Sequence, residues 1–263
     1  MVAGARRGGM TRRQALAAYR PIRAGIQDVL RLAVKACTKA DLTRALRQLL
    51  PGADAFPDDD QALEMLMDVA LFEPNQRGRR AYDGFLAKGA AALDAPDRAL
   101  AEAMAGARFS LFRVAGRHPA AGIWAEDLLA GDARLWLMDK GLEASAPEDA
   151  VFGMRLFDAG PFHAGFGIIV PVDEFTLSTA RAAAERGNPL PFRQSLAATL
   201  YGDVLRETLP PDEELLDMLE DLLSRAEAAG ARPSTPPAPP RSAPPGPAAR
   251  RSPRPPALPR RRG

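Results

Sequence analysis

The sequence is poor in the side chains on which many active sites and metal centres depend. Cys37 is the only cysteine among 263 residues, and His118 and His163 are the only histidines. A single cysteine excludes an intrachain disulfide and any structural zinc site built from several thiolates. The chain therefore fits a reducing compartment, and we expect neither a metal nor a cofactor.

The chain also lacks long apolar runs. No uncharged apolar stretch reaches the roughly 18 residues that a membrane-spanning helix needs. The segment Thr11–Leu16 begins like a twin-arginine export signal, but charged residues and Pro21 interrupt the apolar region that should follow. These features predict a cytoplasmic protein without a membrane partner.

The familiar catalytic motifs are missing as well. The sequence has no Gly-x-Ser-x-Gly elbow and no Gly-x-x-x-x-Gly-Lys-Ser/Thr loop. Cys37 falls on the apolar stripe of a predicted helix, which indicates a buried, unreactive thiol. His118 lies in a polar loop, and His163 alternates with Phe162 and Phe166, so both histidines are expected on the solvent side. No catalytic residue is predicted.

Acidic and basic residues are sorted along the chain. Residues 1–50 carry eleven Lys and Arg against two acidic residues, and residues 51–231 carry 16 basic and 31 acidic residues. Residues 232–263 carry eight Arg and no acidic residue. Because salt screens charges beyond about 8–10 Å, a partner responds to local charge rather than to the net charge. This pattern predicts an acidic globule between two basic ends.

Apolar periodicity predicts an α+β protein of several segments. Residues 1–20 are expected to be a flexible basic N-terminus, 21–106 an α-helical region that starts at Pro21, and 107–172 a small antiparallel β-barrel-like domain. Residues 173–231 are predicted as C-terminal helices, and residues 232–263, with twelve Pro, as a disordered Pro/Arg-rich tail. The tail also contains a PxxP pattern, which is typical of ligands of SH3-like modules. The same pattern also arises without a function in low-complexity sequence that is rich in Pro and Ala.

Strands are predicted where the composition becomes aromatic. Residues 107–172 contain eight of the sixteen Phe, Trp and Tyr, including both Trp, which favours a compact barrel or curled sheet. The turn Asp158-Ala159-Gly160 predicts a hairpin. The predicted strands are Phe109–Val114, Arg134–Met138, Val151–Phe157 and Phe162–Val170.

Several helix starts carry capping residues. Thr38 with Asp41 predicts a capping box, and Asp94 before Pro96 predicts another helix start. The run 58–60 is three aspartates, which lack the glycine and terminal glutamate of a calcium loop. We therefore interpret that run as a helix cap.

The β-rich segment resembles part of a group of uncharacterised bacterial proteins, some of which carry a Cys-rich zinc module of the SEC-C type. The similar stretches are Ala107–Val114, Glu126–Asp132 and Leu142–Ser145. The resemblance implies an architecture and a bacterial source, and it implies no activity. With Cys37 alone, this chain has no such zinc module.

Basic residues are the best candidates for binding. A cluster around the turn at Gly78, with Glu73 and Asp83, is interpreted as an ion-paired surface turn, with a phosphate cradle as the alternative. The N-terminal cations have three interpretations. They contact phosphates, they form the solvated face of an amphipathic helix, or they dock on the chain's own acidic helices. The candidate anion or nucleic-acid contacts are Arg12, Arg13, Arg20, Arg23, Arg31, Lys35, Arg77, Arg79 and Arg80.

These observations favour a non-catalytic binding or adaptor protein, with a protein partner first and nucleic acid second. One alternative is a DNA- or RNA-associated regulator that uses the basic N-terminal helices. Another is a hydrolase-like enzyme in which His163 and nearby carboxylates work with Arg80. The β-rich segment itself holds six basic and eight acidic residues, so it lacks the positive funnel expected of a single-strand binder.

Overall fold

The computed structural model describes residues 9–52, 59–186 and 195–208, all of which belong to one compact unit spanning residues 1–210. The predicted α+β class is confirmed. The helices are α1 (Arg12–Lys35), α2 (Lys39–Leu49), α3 (Asp60–Phe72), α4 (Ala81–Lys88), α5 (Ala95–Ala105), α6 (Lys140–Ser145), α7 (Glu174–Glu185) and α8 (Leu196–Thr208). The strands are β1 (Arg108–Arg117), β2 (Ile123–Asp127), β3 (Ala133–Leu137), β4 (Val151–Asp158) and β5 (His163–Pro171). The predicted tail (232–263) and residues 187–194 and 209–231 of the predicted C-terminal helices lie outside the described residues.

The predicted caps are confirmed. Thr38 and Asp41 form a capping box at α2, and Asp94 accepts a hydrogen bond from the Asp97 amide at α5. Asp59 accepts a hydrogen bond from the Ala62 amide at 2.8 Å, which makes it the N-cap of α3. These side chains satisfy amide groups that have no partner inside the helix.

The first helix begins earlier than the sequence predicted. α1 starts at Arg12 rather than at Pro21, so residues 12–20 are helical and not flexible. The reason is a capping box in which the Thr11 amide donates to Gln14 Oε1 at 2.9 Å and the Thr11 side chain accepts from the Gln14 amide. Pro21 therefore lies inside α1, with its ring on the exposed side.

The five strands form one sheet with pairings in the order β1–β2–β3–β5–β4, and β4 pairs again with β1. Four of these pairings are antiparallel, as predicted, whereas β3 and β5 meet in parallel at Leu137 and His163. The predicted hairpin at Asp158 is confirmed by the antiparallel β4–β5 pair. β2 was not predicted, because Ala125, Glu126 and Asp127 belong to residue types that are depleted in strands.

Helices and sheet share their apolar cores. One core joins α2, α3 and α8 to β5, and a second joins α1, α4 and α5 to the β4–β5 hairpin. A third lies between the strands themselves, and a fourth packs the start of α1 on the β1–β2 loop and the end of β3. Within the described ranges, none of the helices has the length and apolar character needed to cross a membrane.

The β1–β2 loop contains a glycine that the fold requires. Gly122 has φ +75°, and a Cβ atom there would lie 2.2 Å from the Leu137 carbonyl oxygen. Gly131 has φ +70° but open space around the same position. We expect Gly131→Ala to lower the free energy of unfolding by about 1–2 kcal/mol. Gly122→Ala should cost a further ~1–3 kcal/mol, because the chain must also move away from Leu137.

Urea unfolding of the two alanine variants measures this difference directly. Equal losses of stability in the two variants would contradict the close approach between Gly122 and Leu137.

Candidate functional site

A pocket of about 750 Å³ lies over β2 and β3 between the β1–β2 and β4–β5 loops. His118 comes from the first loop and His163 from the start of β5, and both line this pocket. The predicted solvent side is met in that both line a surface pocket, but neither histidine stands in solvent alone. They are half-buried and share one site, because closing the sheet brings the two loops together.

Strand alternation places two tryptophans in this pocket. Trp124 on β2 and Trp136 on β3 are directly opposite each other in the register, and both are half-buried. Their neighbours Ile123, Ala125 and Leu137 point to the other side and are buried. The Arg134 guanidinium lies 4.9 Å from the centre of the Trp124 ring, within the range of a cation–π interaction.

His118 fills the space between the two indoles. Its ring stacks on Trp136 with a centroid distance of 3.8 Å and an interplanar angle of 8°. It meets Trp124 edge-on at 4.5 Å. Its Nδ1 accepts a hydrogen bond from the Ala120 amide at 3.1 Å, which requires the neutral imidazole with its proton on Nε2.

We predict that His118 titrates below the ordinary histidine range, because burial lowers its pKa from 6.5. A folded-state pKa below the unfolded value means that stability is complete above pH 6.5 and falls as the pH drops through the folded pKa. An NMR titration of the imidazole, assigned with His118→Gln, tests the shift. A His118 pKa above that of an unfolded histidine would contradict it.

A series of ring contacts connects the pocket to α1. Trp136 lies edge-on to Phe162 at 5.4 Å, and Phe162 meets Tyr19 of α1 edge-on at 6.2 Å. The Trp136 indole also donates a hydrogen bond to the Ala121 carbonyl at 2.6 Å, which fixes its ring. The N-terminal part of α1 therefore lies beside the pocket, and Met10, just before the helix, forms part of the pocket lining.

The predicted cations of α1 lie on its exposed face. Arg12 is paired with Glu143 of α6, and Arg31 is paired with Asp28 at 2.7 Å. In the described part of the chain, the other four predicted cations of this helix form no ion pair; they are Arg13, Arg20, Arg23 and Lys35. Arg20 and Arg23 meet Lys140 of α6 in a groove of about 440 Å³. Of the predicted anion or nucleic-acid contacts on α1, the fold therefore brings Arg20 and Arg23 together.

The cations of the predicted cluster around Gly78 do not converge on one site. Arg77 and Arg79 are exposed in the turn after α3, where Asn75 Oδ1 accepts hydrogen bonds from both of their amides. Arg80 binds Asp83 at 2.6 Å and the Ala105 carbonyl at 2.9 Å. Arg80 is not among the residues that line the pocket with His163.

Glu73 had been predicted to lie in the ion-paired surface turn at Gly78. It belongs instead to a buried charge cluster. Arg155 of β4 binds Asp68 through two hydrogen bonds of 2.8 and 3.0 Å and Glu73 through one of 2.7 Å. Burial raises the pKa of Asp68, although Arg155 opposes the shift. Burial would lower the pKa of Arg155, but Asp68 and Glu73 outweigh it and raise the pKa. This cluster joins α3 to the sheet.

Cys37 lies in the turn between α1 and α2 and is half-buried. Burial raises the pKa of its thiol to about 11, with Asp41 adding to the shift. The prediction that it is buried on the apolar stripe of the first helix is wrong, because α1 ends at Lys35. A thiol with such a pKa is nevertheless protonated at neutral pH, as expected of an unreactive side chain.

The pocket is suited to stacking and to anions. None of the described residues that line it is acidic. Its two indoles, two imidazoles and one guanidinium favour flat rings and negative charge. Across the described ranges, no three His, Cys, Asp or Glu side chains are grouped so as to hold a metal ion.

The sequence reasoning missed Trp124, Trp136 and Arg134 as site residues. Both tryptophans had been counted only as evidence for a compact sheet. The available signal was the alternation of Trp124 with Ile123 and Ala125, which puts a large aromatic ring on the outer face of a short strand.

Comparison with known proteins gives one positive result. No curated protein and no solved structure matches this chain. The model of a family of unknown function, DUF7986, matches residues 13–173. That match begins in α1 and includes the whole sheet, both loops of the pocket and the buried charge cluster. Because the match covers more than half of the chain, this protein belongs to the family of unknown function DUF7986.

Proposed function

We propose that this protein is a non-catalytic binding protein whose ligand is single-stranded nucleic acid. The observation that carries the proposal is the position and chemistry of the pocket over β2 and β3. It combines Trp124, Trp136 and His118 with the exposed cation Arg134, and it has no acidic lining among the described residues.

The strand order supports this proposal. We interpret the closed five-stranded sheet as a small barrel, in agreement with the barrel-like domain predicted from the sequence. Five-stranded Greek-key barrels of the OB type bind oligonucleotides on the face of strands 2 and 3 and through the loops that join strands 1–2 and 4–5. The pocket is lined by residues of the corresponding two strands and two loops.

The chemistry of the lining points to bases rather than to a duplex. Stacking of a base on an aromatic side chain contributes about 1–3 kcal/mol and tolerates any sequence, because every base has a flat face. Bases inside a duplex are already stacked and present only their edges. A pocket lined with rings therefore favours a strand whose bases are unpaired.

The charge balance of the β-rich segment argued against a single-strand binder when it was read from the sequence. In the folded protein, several of the eight acidic residues of that segment are occupied by structural contacts. Asp127 is buried and binds Ser110 and Arg108, Asp139 caps α6, and Glu143 pairs with Arg12. None of these three carboxylates lines the pocket, and Arg134 is the one Lys, Arg, Asp or Glu among the described residues that do.

The other functional predictions stay predictions. A protein partner for the adaptor role stays a prediction, because nothing in the fold identifies one. For the enzyme alternative, Arg80 binds Asp83 and the Ala105 carbonyl and does not line the pocket with His163, so the two predicted groups are not brought together. The remaining alternative is a DNA- or RNA-associated regulator that uses the basic N-terminal helices. Comparing single-stranded with duplex binding distinguishes it from the proposed single-strand binder.

The test is a fluorescence-anisotropy titration of the full chain with labelled oligothymidylate and oligouridylate of about 16 nucleotides. A duplex of the same length and mixed sequence serves as the comparison. We expect saturable binding of the single strands and weaker binding of the duplex at every salt concentration. No binding of single strands at low salt would overturn the proposal, and tighter duplex binding would favour the regulator instead.

A further inference from the structure

We infer that the groove between α1 and α6 binds the phosphates of the same single strand whose bases stack in the pocket over β2 and β3. This inference rests on the proposed function and adds a second subsite to it. The groove is lined by Leu16, Tyr19, Arg20, Arg23, Ala24, Gln27 and Lys140.

The groove contains three cations and no described acidic residue in its lining. Arg20 and Arg23 are one turn apart on α1, so their guanidinium groups lie on the same exposed face. Lys140 is the first residue of α6 and approaches them from the other side. Three positive side chains that converge on one concave surface form a site for an anion with several charges, such as a run of phosphodiesters.

The nearest carboxylates are engaged in other contacts. Asp139 precedes Lys140, but its side chain accepts the Leu142 amide at 2.8 Å as the N-cap of α6. Glu143 pairs with Arg12, which lowers the pKa of its carboxyl group. The three groove cations form no ion pair within the described part of the chain, so a ligand phosphate meets no internal competitor there.

The groove and the pocket lie on either side of one apolar cluster. Leu16 and Tyr19 line the groove and also pack in the cluster that holds Trp136 and Phe162. Trp136 lines the pocket on the other side of that cluster. A strand that leaves the pocket towards α1 therefore passes directly from stacking side chains to cations, the combination found in proteins that track single strands.

The inference is tested with the triple variant Arg20→Gln, Arg23→Gln and Lys140→Gln. The matched control is Lys39→Gln, Lys88→Gln and Arg186→Gln, which removes the same charge from exposed positions at the start of α2 and at the ends of α4 and α7. Oligothymidylates of about 4 and about 16 nucleotides are titrated, the shorter one sized to occupy little more than the pocket. Thermal unfolding checks that both variants are folded.

Each phosphate contact with a single strand adds about 0.7 to the salt slope, so losing three contacts should lower the slope for the long oligonucleotide by about 2. From about 50 to about 200 mM salt, the wild type should therefore lose roughly 20-fold more affinity than the groove variant. The control variant should keep the wild-type slope. The short oligonucleotide should bind the wild type and the groove variant with similar affinity.

Two results overturn the inference in distinguishable ways. If the long oligonucleotide binds the wild type but the groove and control variants share the wild-type slope, the phosphate subsite is wrong and the proposed function stands. If no single strand binds the wild type, the proposed function and the subsite fail together.

Discussion

Replacing Arg155 with alanine should lower the free energy of unfolding by about 3–5 kcal/mol at pH 7. The guanidinium is buried and makes all three hydrogen bonds of the cluster with Asp68 and Glu73. Without it, two carboxylates remain buried without their cation, and the cost is the desolvation of those charges. Urea unfolding at constant salt measures the difference.

The stability difference between wild type and Arg155→Ala should depend on pH through the titration of Asp68. Burial holds the folded-state pKa of Asp68 above its unfolded value, and removing Arg155 takes away the group that opposes this shift. A raised folded-state pKa means that stability is complete below the unfolded pKa and is lost as the pH rises through the folded pKa. The gap between wild type and variant should therefore narrow as the pH falls from 7 towards the unfolded pKa of aspartate, about 3.9.

The matched control is Arg113→Ala, because Arg113 pairs with Glu126 at 3.7 Å on the partly exposed face of the sheet. Its loss should cost only about 0.2–1 kcal/mol. Adding Asp68→Asn to Arg155→Ala should recover part of the stability, since one buried charge is then removed. A loss for Arg155→Ala no larger than that for Arg113→Ala would contradict the buried cluster.

Replacing Trp124 with alanine should weaken binding of a single-stranded oligonucleotide by about 5- to 150-fold, the range given by 1–3 kcal/mol of base stacking. Trp124 suits the test because it is outside the four buried core clusters, whereas Trp136 packs against one of them. The variant should therefore lose binding without a large loss of stability. Anisotropy titrations at one salt concentration provide the comparison.

Phe175→Ala is the aromatic control for this variant. Phe175 lies on α7 with 78 % of its surface exposed, and it does not line the pocket. Its removal should leave oligonucleotide affinity unchanged, whereas Trp124→Phe should retain part of the affinity because a flat ring remains. Equal affinities for Trp124→Ala and wild type would show that this ring takes no part in binding.

The parts of the fold that the sequence predicted depend on local interactions. The capping side chains Thr38, Asp59 and Asp94 act on amides within the next three residues, so their pattern is visible in the chain. The buried apolar faces of α2 and α3 follow from the helical periodicity of the sequence, and the β4–β5 hairpin follows from its turn composition. Where a local signal was overlooked, as with Thr11 and Gln14, a helix start was placed too late.

The candidate site could not be predicted because it depends on closure of the sheet. His118 and His163 are distant in the chain and meet only when the β1–β2 and β4–β5 loops lie over the same strands. The same reason hid the buried charge cluster, since Asp68 is on a helix and Arg155 is on a strand. Composition counts every carboxylate alike and does not show which ones are buried or already paired.

Intrinsic tryptophan fluorescence tests the central claim most directly, because the only two tryptophans of the chain both line the pocket. Unlabelled oligothymidylate is titrated into the full chain, and the emission is compared with the anisotropy titration. We predict saturable quenching with the same midpoint as the anisotropy change, as expected when bases stack on the indoles. Binding seen by anisotropy with unchanged tryptophan emission would place the strand elsewhere and contradict the account.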